Sequence, residues 1–349
     1  MTALVLPPTP QEQVRFLENV QRLMGEGSFQ ATYKYALLHA LADLSLVHGD
    51  DTGAVLPLKT TLIAERFIEL YWPQCKPFPT TQGDAARLRQ NKGGPAAVLT
   101  AVTDYAARWR SPAALRLSAA DWRSLVQRVA KVVANQPLQY LQNVGGDRLD
   151  FLYTRVRGGV LLRPGVAYCF RAFHGLLTDM FRGAWLRFVR RRNEQLLGTV
   201  KDLHGFMFGS DRQDLSGFRH VLAEVDGDDC FYCRGRLRGP GEVDHFVPWS
   251  RWPVDLGHNF VRAHASCNAR KSDHLAAEEH LERWVSRNHD YGADLATMFD
   301  ARGLPHAGPA TTRAAGWAYA QLARVGGQTW SAGKRFTPLS GQWQLLLAA

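Results

Sequence analysis

The chain has 349 residues, 46% hydrophobic and 21% charged, a balance that excludes a disordered chain and leaves room for two or three domains with cores of their own. No apolar run approaches the roughly 18 residues of a membrane-crossing helix, and MTALVLPPTP lacks the basic start and long apolar stretch of a signal peptide, so a cytoplasmic protein with no membrane partner is expected. A formal charge of +10 favours an anionic partner, without choosing between nucleic acid and acidic lipid.

The first part reads as helical. Ser28 stands where it would cap a helix running to about Leu46, with Tyr33, Leu37, Leu41 and Leu44 at helical spacing. Thr60 or Thr61 opens a second stretch, with Leu62, Ile63, Phe67, Ile68 and Tyr71 on one face, and Pro73 stops it. Ser118-x-x-Asp121 has the spacing of a capping box before a third, carrying Trp122, Leu125, Val129, Val132 and Val133. Between Asp150 and Arg163 two short apolar runs flank Gly158-Gly159, which suggests a small hairpin.

A long helix is expected from about Val166 to Leu197. Trp185, Phe188, Val189 and Leu196 form its apolar stripe, and Arg187, Arg190 and Arg191 share another face, free to meet nucleic acid or to stand solvated. Of the 42 cations 34 are Arg, which suits bidentate phosphate recognition but also fits GC-rich coding, so the position of the arginines carries more weight than their number. Gly198 to Gly217 reads as a connector and domain boundary. Further helices are expected at His280–His289, Leu295–Phe299 and Thr312–Val325, with GLPHAGPATT as a break.

Of five cysteines, Cys75 and Cys169 stand alone in apolar stretches and read as small buried hydrophobes. The other three enter two knuckles, Cys230-x-x-Cys233 and His264-x-x-Cys267, with 31 residues from the second Cys to the His. Each knuckle offers two ligands from one tight turn, the spacing of a tetrahedral structural zinc site. His258 or His274 competes with His264 for the fourth position, and a redox C-x-x-C is the other alternative, without the surrounding βαβ pattern it needs.

Between and after the knuckles the chain reads VDHFVPWSRWPVDLGHNFVRAHASCNARKSDHL. A strand is expected at Glu242–Val247, a loop at Pro248–Leu256, a second strand at Asn259–Arg262 and a helix at Ala265–Leu275. Asn268 and Lys271 share a helical face, whereas Cys267 is turned about 100° away and is free to serve zinc.

At these residues the sequence resembles the HNH endonucleases, the ββα-metal (His-Me finger) nucleases, in their zinc-stapled branch. The likeness lies in Asp244-His245, Val247-Pro248, Asn259 and Cys267-Asn268-x-x-Lys271-Ser272-Asp273, about 45 residues from Cys230 to Leu275. It implies His245 as general base, Asp244 as acidic metal ligand, Asn259 as the brace of loop and base, and Asn268 at the last motif position, as in CRISPR effector HNH domains. His264 departs from the family, which has a Cys there. The implied cofactors are Mg²⁺ or Mn²⁺, held by Asp244 and Asn268 oxygens, and a structural Zn²⁺ on Cys230, Cys233, His264 and Cys267.

The residue types suit that chemistry. A neutral imidazole accepts a proton from water near pH 7, and a hard divalent ion neutralises charge on phosphate oxygens. Neighbouring strand residues point to opposite faces, so Asp244 and His245 reach one phosphate only if the strand end bends, and Pro248 is consistent with pairing ending there. Lys271 and Arg270 are candidate phosphate contacts or solvated cations; Trp249 and Trp252 are candidate stacking platforms, with covering the hairpin the favoured role.

The sequence thus leads to a mainly α, α+β protein: a helical recognition or regulatory domain over 1–200, a zinc-stapled HNH module over 201–279 and a helical extension over 280–349 packed on it. The expected activity is divalent-metal-dependent hydrolysis of DNA, duplex first, in defence or restriction, with a partner protein from the same operon as a further candidate. A zinc-stapled nucleic-acid-binding module without catalysis, an RNase and a nickase are the alternatives.

Overall fold

The computed structural model describes residues 5–79, 85–93, 96–197, 202–209 and 215–348. The expected connector at 198–217 lies partly outside them. The protein is α+β and mainly helical, with small antiparallel sheets, and divides into two compact units, Met1–Asp211 and Arg212–Ala349. No helix among the described residues is long and apolar enough to cross a membrane.

The first unit is built around the helix Tyr33–His48. Ala36, Leu37, Leu38, Ala40 and Leu41 are all fully buried, so this helix is apolar on nearly every side, as a central core helix must be. It begins later than Ser28 because the preceding backbone pairs elsewhere: Ala31 bridges Asn91, Thr32 N donates to Gln90 O at 3.0 Å, and the Thr32 hydroxyl meets Tyr71 Oη at 2.6 Å. Thr60–Tyr71 packs beside it, and Pro73 opens a short 3-10 turn at Pro73–Cys75. Helix Ala119–Asn135 starts after Ser118, whose side chain makes no capping bond, so the expected box is absent.

The hairpin is present as Tyr153–Val156 paired with Gly159–Leu162, with Gly158 at φ +77° in the two-residue turn. Leu56–Lys59 joins its other edge to complete a three-stranded sheet. The long helix expected from Val166 is cut into Val166–Ala172, His174–Arg192 and Glu194–Leu197. Asn193 marks the second break: it is buried, its Oδ1 accepts from Arg89 N at 2.7 Å, and its Nδ2 donates to Arg89 O at 3.0 Å and Val189 O at 2.7 Å. A distant backbone pairing has replaced helix continuation. Cys75 and Cys169 are buried, and burial pushes their thiols up to about 11 and about 12.

A buried polar knot ties the helices of this unit. Asp43 accepts from Arg66 Nε at 2.6 Å, faces His39 Nδ1 at 2.9 Å and faces His174 Nε2 at 2.8 Å. Burial pushes its carboxyl up, but Arg66 and His39 overcome this and hold it well below the usual carboxylate range. His39 accepts from Arg182 Nε at 2.9 Å on its other nitrogen, and burial lowers its pKa.

In the second unit, strands Glu242–His245 and Phe260–Ala263 pair antiparallel, with Glu242 opposite Ala263 and His245 opposite Phe260. Val243 and Phe260 pack on Phe218, Val221 and Leu222 of helix Ser216–Asp226 and on Leu295 and Phe299 of helix Gly292–Ala301. The short helix Ala265–Lys271 follows the second strand. Helix Glu278–Asp290 props the hairpin: Trp284 stacks on Phe246 at 4.9 Å and donates to His258 O, while Arg287 donates to Phe260 O at 2.8 Å. Helix Gly308–Arg324 begins inside the expected break, because Pro309 lies in the first turn, where its missing N–H costs nothing. Hairpin Gln328–Ala332/Arg335–Pro338 and helix Gln342–Ala348 complete the unit.

Candidate metal centre and hairpin site

The two knuckles meet. One ligand atom each from Cys230, Cys233, His264 and Cys267 lies within 4.8 Å of the others, so the group can hold a metal ion such as zinc. Four ligands at about 2.0–2.3 Å from a tetrahedral Zn²⁺ stand roughly 3.5–4 Å apart, a distance this cluster reaches with little movement. His264 Nδ1 lies 3.3 Å from Cys233 Sγ, and Nε2 bonds Arg236 O at 3.1 Å. That outer hydrogen bond puts the proton on Nε2 and leaves the Nδ1 lone pair facing the sulfurs. Burial raises the Cys230 thiol, but bonds from the backbone N–H groups of Cys233, His264 and Tyr232 outweigh it and lower the pKa. Burial and then Cys230 push Cys267 up to about 12. His258 is not a fourth ligand: its Nε2 bonds Gly292 O at 3.1 Å. His274 packs edge-on against Phe336.

The hairpin gathers the other expected residues on two faces. His245, 18% exposed at its side chain, lies on the face of Val243, with its ring edge-on to Phe260 at 4.7 Å and Trp249 at 5.3 Å. Its Nε2 bonds Asp255 Oδ1 at 2.8 Å. A carboxylate only accepts, so Nε2 carries the proton and Nδ1 is left with its lone pair. Among the described residues Nδ1 has no partner. Asn259 is fully buried and pairs twice with Val247: Oδ1 accepts from Val247 N at 2.8 Å, and Nδ2 donates to Val247 O at 3.0 Å. The strand ends at His245, and the chain bends at Phe246 and Val247.

Glu242 and Asp244 occupy the opposite face, against helix Ala265–Lys271. Asn268 Nδ2 donates to the exposed Glu242 at 2.8 Å, and Lys271 Nζ lies 3.0 Å from Asp244 Oδ2 and 2.8 Å from His245 O. Alternate strand positions thus meet helix positions three apart. Tyr232 Oη also donates to Asp244, at 2.5 Å. Burial and that carboxylate push the Tyr232 hydroxyl well above its usual range, so it keeps its proton.

This geometry corrects two expectations. Lys271 is no phosphate contact: it is fully buried, and its charge is spent on Asp244. Asp244, in turn, does not stand open beside Asn268 for a divalent ion, because an ammonium already neutralises it. The expected donor pair therefore does not fit Mg²⁺ or Mn²⁺ in this arrangement. Arg270 is exposed, as are Arg187, Arg190 and Arg191 on helix His174–Arg192. Those three belong to the other unit. Trp252 is buried as cover, and Trp249 is half-buried against His245. Sequence reasoning passed over Asp255, Tyr232 and Glu242. Glu242 and Tyr232 lay inside or beside the motifs, whereas Asp255, ten residues after His245, carried no spacing signal.

Fold and site together define a mainly helical α+β protein whose second unit sets a three-cysteine, one-histidine group able to hold a metal ion against a β-hairpin and a short helix. The chain belongs to the family described as Domain of unknown function (DUF8808), whose model matches residues 13–204, ahead of the hairpin and the cluster. No curated protein and no solved structure matches it.

Proposed function

We propose that the second unit is a zinc-stapled HNH-type nuclease module that hydrolyses DNA phosphodiester bonds, with duplex DNA as substrate and defence or restriction as setting. The observation that carries this reading is the His245–Asp255 pair at a strand end braced by Asn259. An imidazole held by a carboxylate at one nitrogen and free at the other is equipped as a general base. Nδ1 takes a proton from water as the water oxygen bonds phosphorus, the P–O bond to the leaving oxygen breaks, and the leaving oxygen is protonated from solvent. A divalent ion, when bound, would supply charge neutralisation at the phosphate. In its resting pairing Asp244 is not free to hold one, so no step is assigned to that ion. The metal at Cys230, Cys233, His264 and Cys267 is read as Zn²⁺ with a folding role.

The pairing of Asp244 with buried Lys271 supports a second reading, a zinc-stapled nucleic-acid-binding module without catalysis. Cleavage assays on duplex DNA, single strands and RNA with Mg²⁺ or Mn²⁺ decide between the two. Cutting by wild type and none by folded His245→Ala supports the nuclease; binding without cutting under every ion supports the second reading.

A further inference from the structure

Beside the metal cluster runs a segment that the catalytic reading does not use. After Cys233 the chain reads Arg234-Gly235-Arg236-Leu237-Arg238, and exposure alternates along it: the three arginines are exposed, Gly235 is intermediate and Leu237 is buried. Burial of Leu237 between them leaves Arg236 and Arg238 on the exposed side of the segment, about 6–7 Å of chain apart, with Arg234 exposed at the turn before them. Among the described residues none of the three forms an ion pair. Three acids are close: Asp229 in backbone register with Arg236, Glu242 across a small cavity, and Asp228, whose carboxylate lies 3.9 Å from Arg262; with Arg262 counted, four cations face these three acids.

The backbone of this segment is pinned. Cys230 N donates to Gly235 O at 2.9 Å, Arg234 N to Cys230 O at 2.9 Å, and Leu237 N to Asp228 O at 2.8 Å. Arg234 takes a left-handed φ of +60°, which turns the chain out of the knuckle. His264 Nε2 holds Arg236 O at 3.1 Å while Nδ1 faces the sulfurs. One imidazole thus ties the cluster to the middle arginine. Arg236 and Arg238 line a cavity of about 320 Å³ whose other side includes Glu242 and His264. Glu242 in turn bonds Asn268, so the arginines border the strand–helix edge of the hairpin site.

We propose that residues 234–238 form a metal-held arginine clamp for the sugar-phosphate backbone of a nucleic acid. The inference rests on the reading of this unit as a nucleic-acid module. Neighbouring exposed guanidinium forks suit phosphate oxygens, and a pinned backbone leaves less freedom to be lost on binding. A lipid surface fits less well, because the apolar residue of the segment, Leu237, is buried and offers no wedge.

The test is equilibrium binding of full-length protein to a labelled 20-base-pair duplex without added divalent ions, so that nothing is cut. Arg236→Glu/Arg238→Glu is expected to weaken binding at least tenfold near 0.1 M salt. It should also flatten the slope of log affinity against log salt by about two, at roughly 0.9 per phosphate contact. Arg236→Gln/Arg238→Gln repeats the measurement without charge reversal, and both variants are checked for metal content and melting temperature. Unchanged affinity and slope in either variant, folded and metal-loaded, overturns the clamp, as does loss of binding to phosphatidylserine vesicles with DNA binding intact. Wild type that binds but never cuts overturns the nuclease reading and leaves the clamp standing.

Discussion

His245 Nε2 lies 2.8 Å from Asp255 Oδ1, and the two side chains are only 18% and 10% exposed. The carboxylate fixes both the tilt of the imidazole and its tautomer, so the free lone pair is on Nδ1. If this pair generates the base, Asp255→Ala lowers kcat for DNA cleavage by about 10–100-fold, with KM little changed. Asp255→Asn, whose amide oxygen still accepts, retains more of the rate. Steady-state kinetics on one duplex substrate reads both, and a parallel rise in KM alone contradicts a positioning role.

Lys271 is a structural cation. Removing its charge leaves Asp244 buried with Tyr232 as its one remaining partner among the described residues, and breaking a buried pair from one side costs about 3–5 kcal/mol. Lys271→Met is therefore expected to lower the urea midpoint sharply, and Lys271→Met/Asp244→Leu to recover much of the loss, because no unpaired charge remains. A Lys271→Met protein of full stability whose only defect is weaker DNA binding would restore the phosphate-contact role.

Zinc analysis separates the ligands from the loop they hold. Wild type is expected to carry about one zinc per chain, and Cys230→Ser to lose it together with the cooperative unfolding of this module. His264→Cys keeps four ligands but deletes the imidazole bond to Arg236 O. It should retain zinc and bind DNA several-fold more weakly. Metal content by elemental analysis, read beside binding, tests both halves. Carefully prepared wild type free of zinc would end the zinc assignment.

Much of this was legible in residue order, and the misses share one cause. The knuckles, the hairpin strands and the following helix are local patterns, and Cys230, Cys233, His264 and Cys267 converge as their spacing requires. Lys271 looked like a surface cation because a helical face does not say what covers it; Tyr232, Asp244 and the hairpin cover it fully. Asp255 was silent for the same reason: its partner is chosen by the course of the loop from Pro248 to Leu256, not by periodicity. In the first unit, Asn193 ends a helix by pairing with Arg89, over a hundred residues away. No window of sequence contains that bond.

Acid should weaken the protein in two stages. Burial lowers the His39 pKa in the folded state, so the unfolded chain binds the proton more readily and stability falls as pH drops below about 6.5. Burial lowers His258 and His280 likewise, in the second unit. Asp43 is also depressed, by Arg66 and His39 against its burial, so its contribution is present above about pH 4 and is lost as pH falls further. Urea unfolding from pH 8 to 3 is expected to show monotonic loss, with the Asp43 stage confined to the last pH unit. Asp43→Asn should lower stability at pH 7 by about 1–3 kcal/mol, since it removes one of the two carboxylates that pair Arg66 and leaves Glu69 as the other. Stability that rises on acidification contradicts this account.

The most direct measurement is DNA cleavage by wild type and His245→Ala side by side, each with its zinc content and melting temperature recorded, over a range of Mg²⁺ and Mn²⁺. The account predicts cutting by wild type, and a loss of at least a hundredfold in a variant that stays folded, zinc-loaded and able to bind DNA. Equal cutting by the two proteins, or none by wild type under any divalent ion, would contradict it.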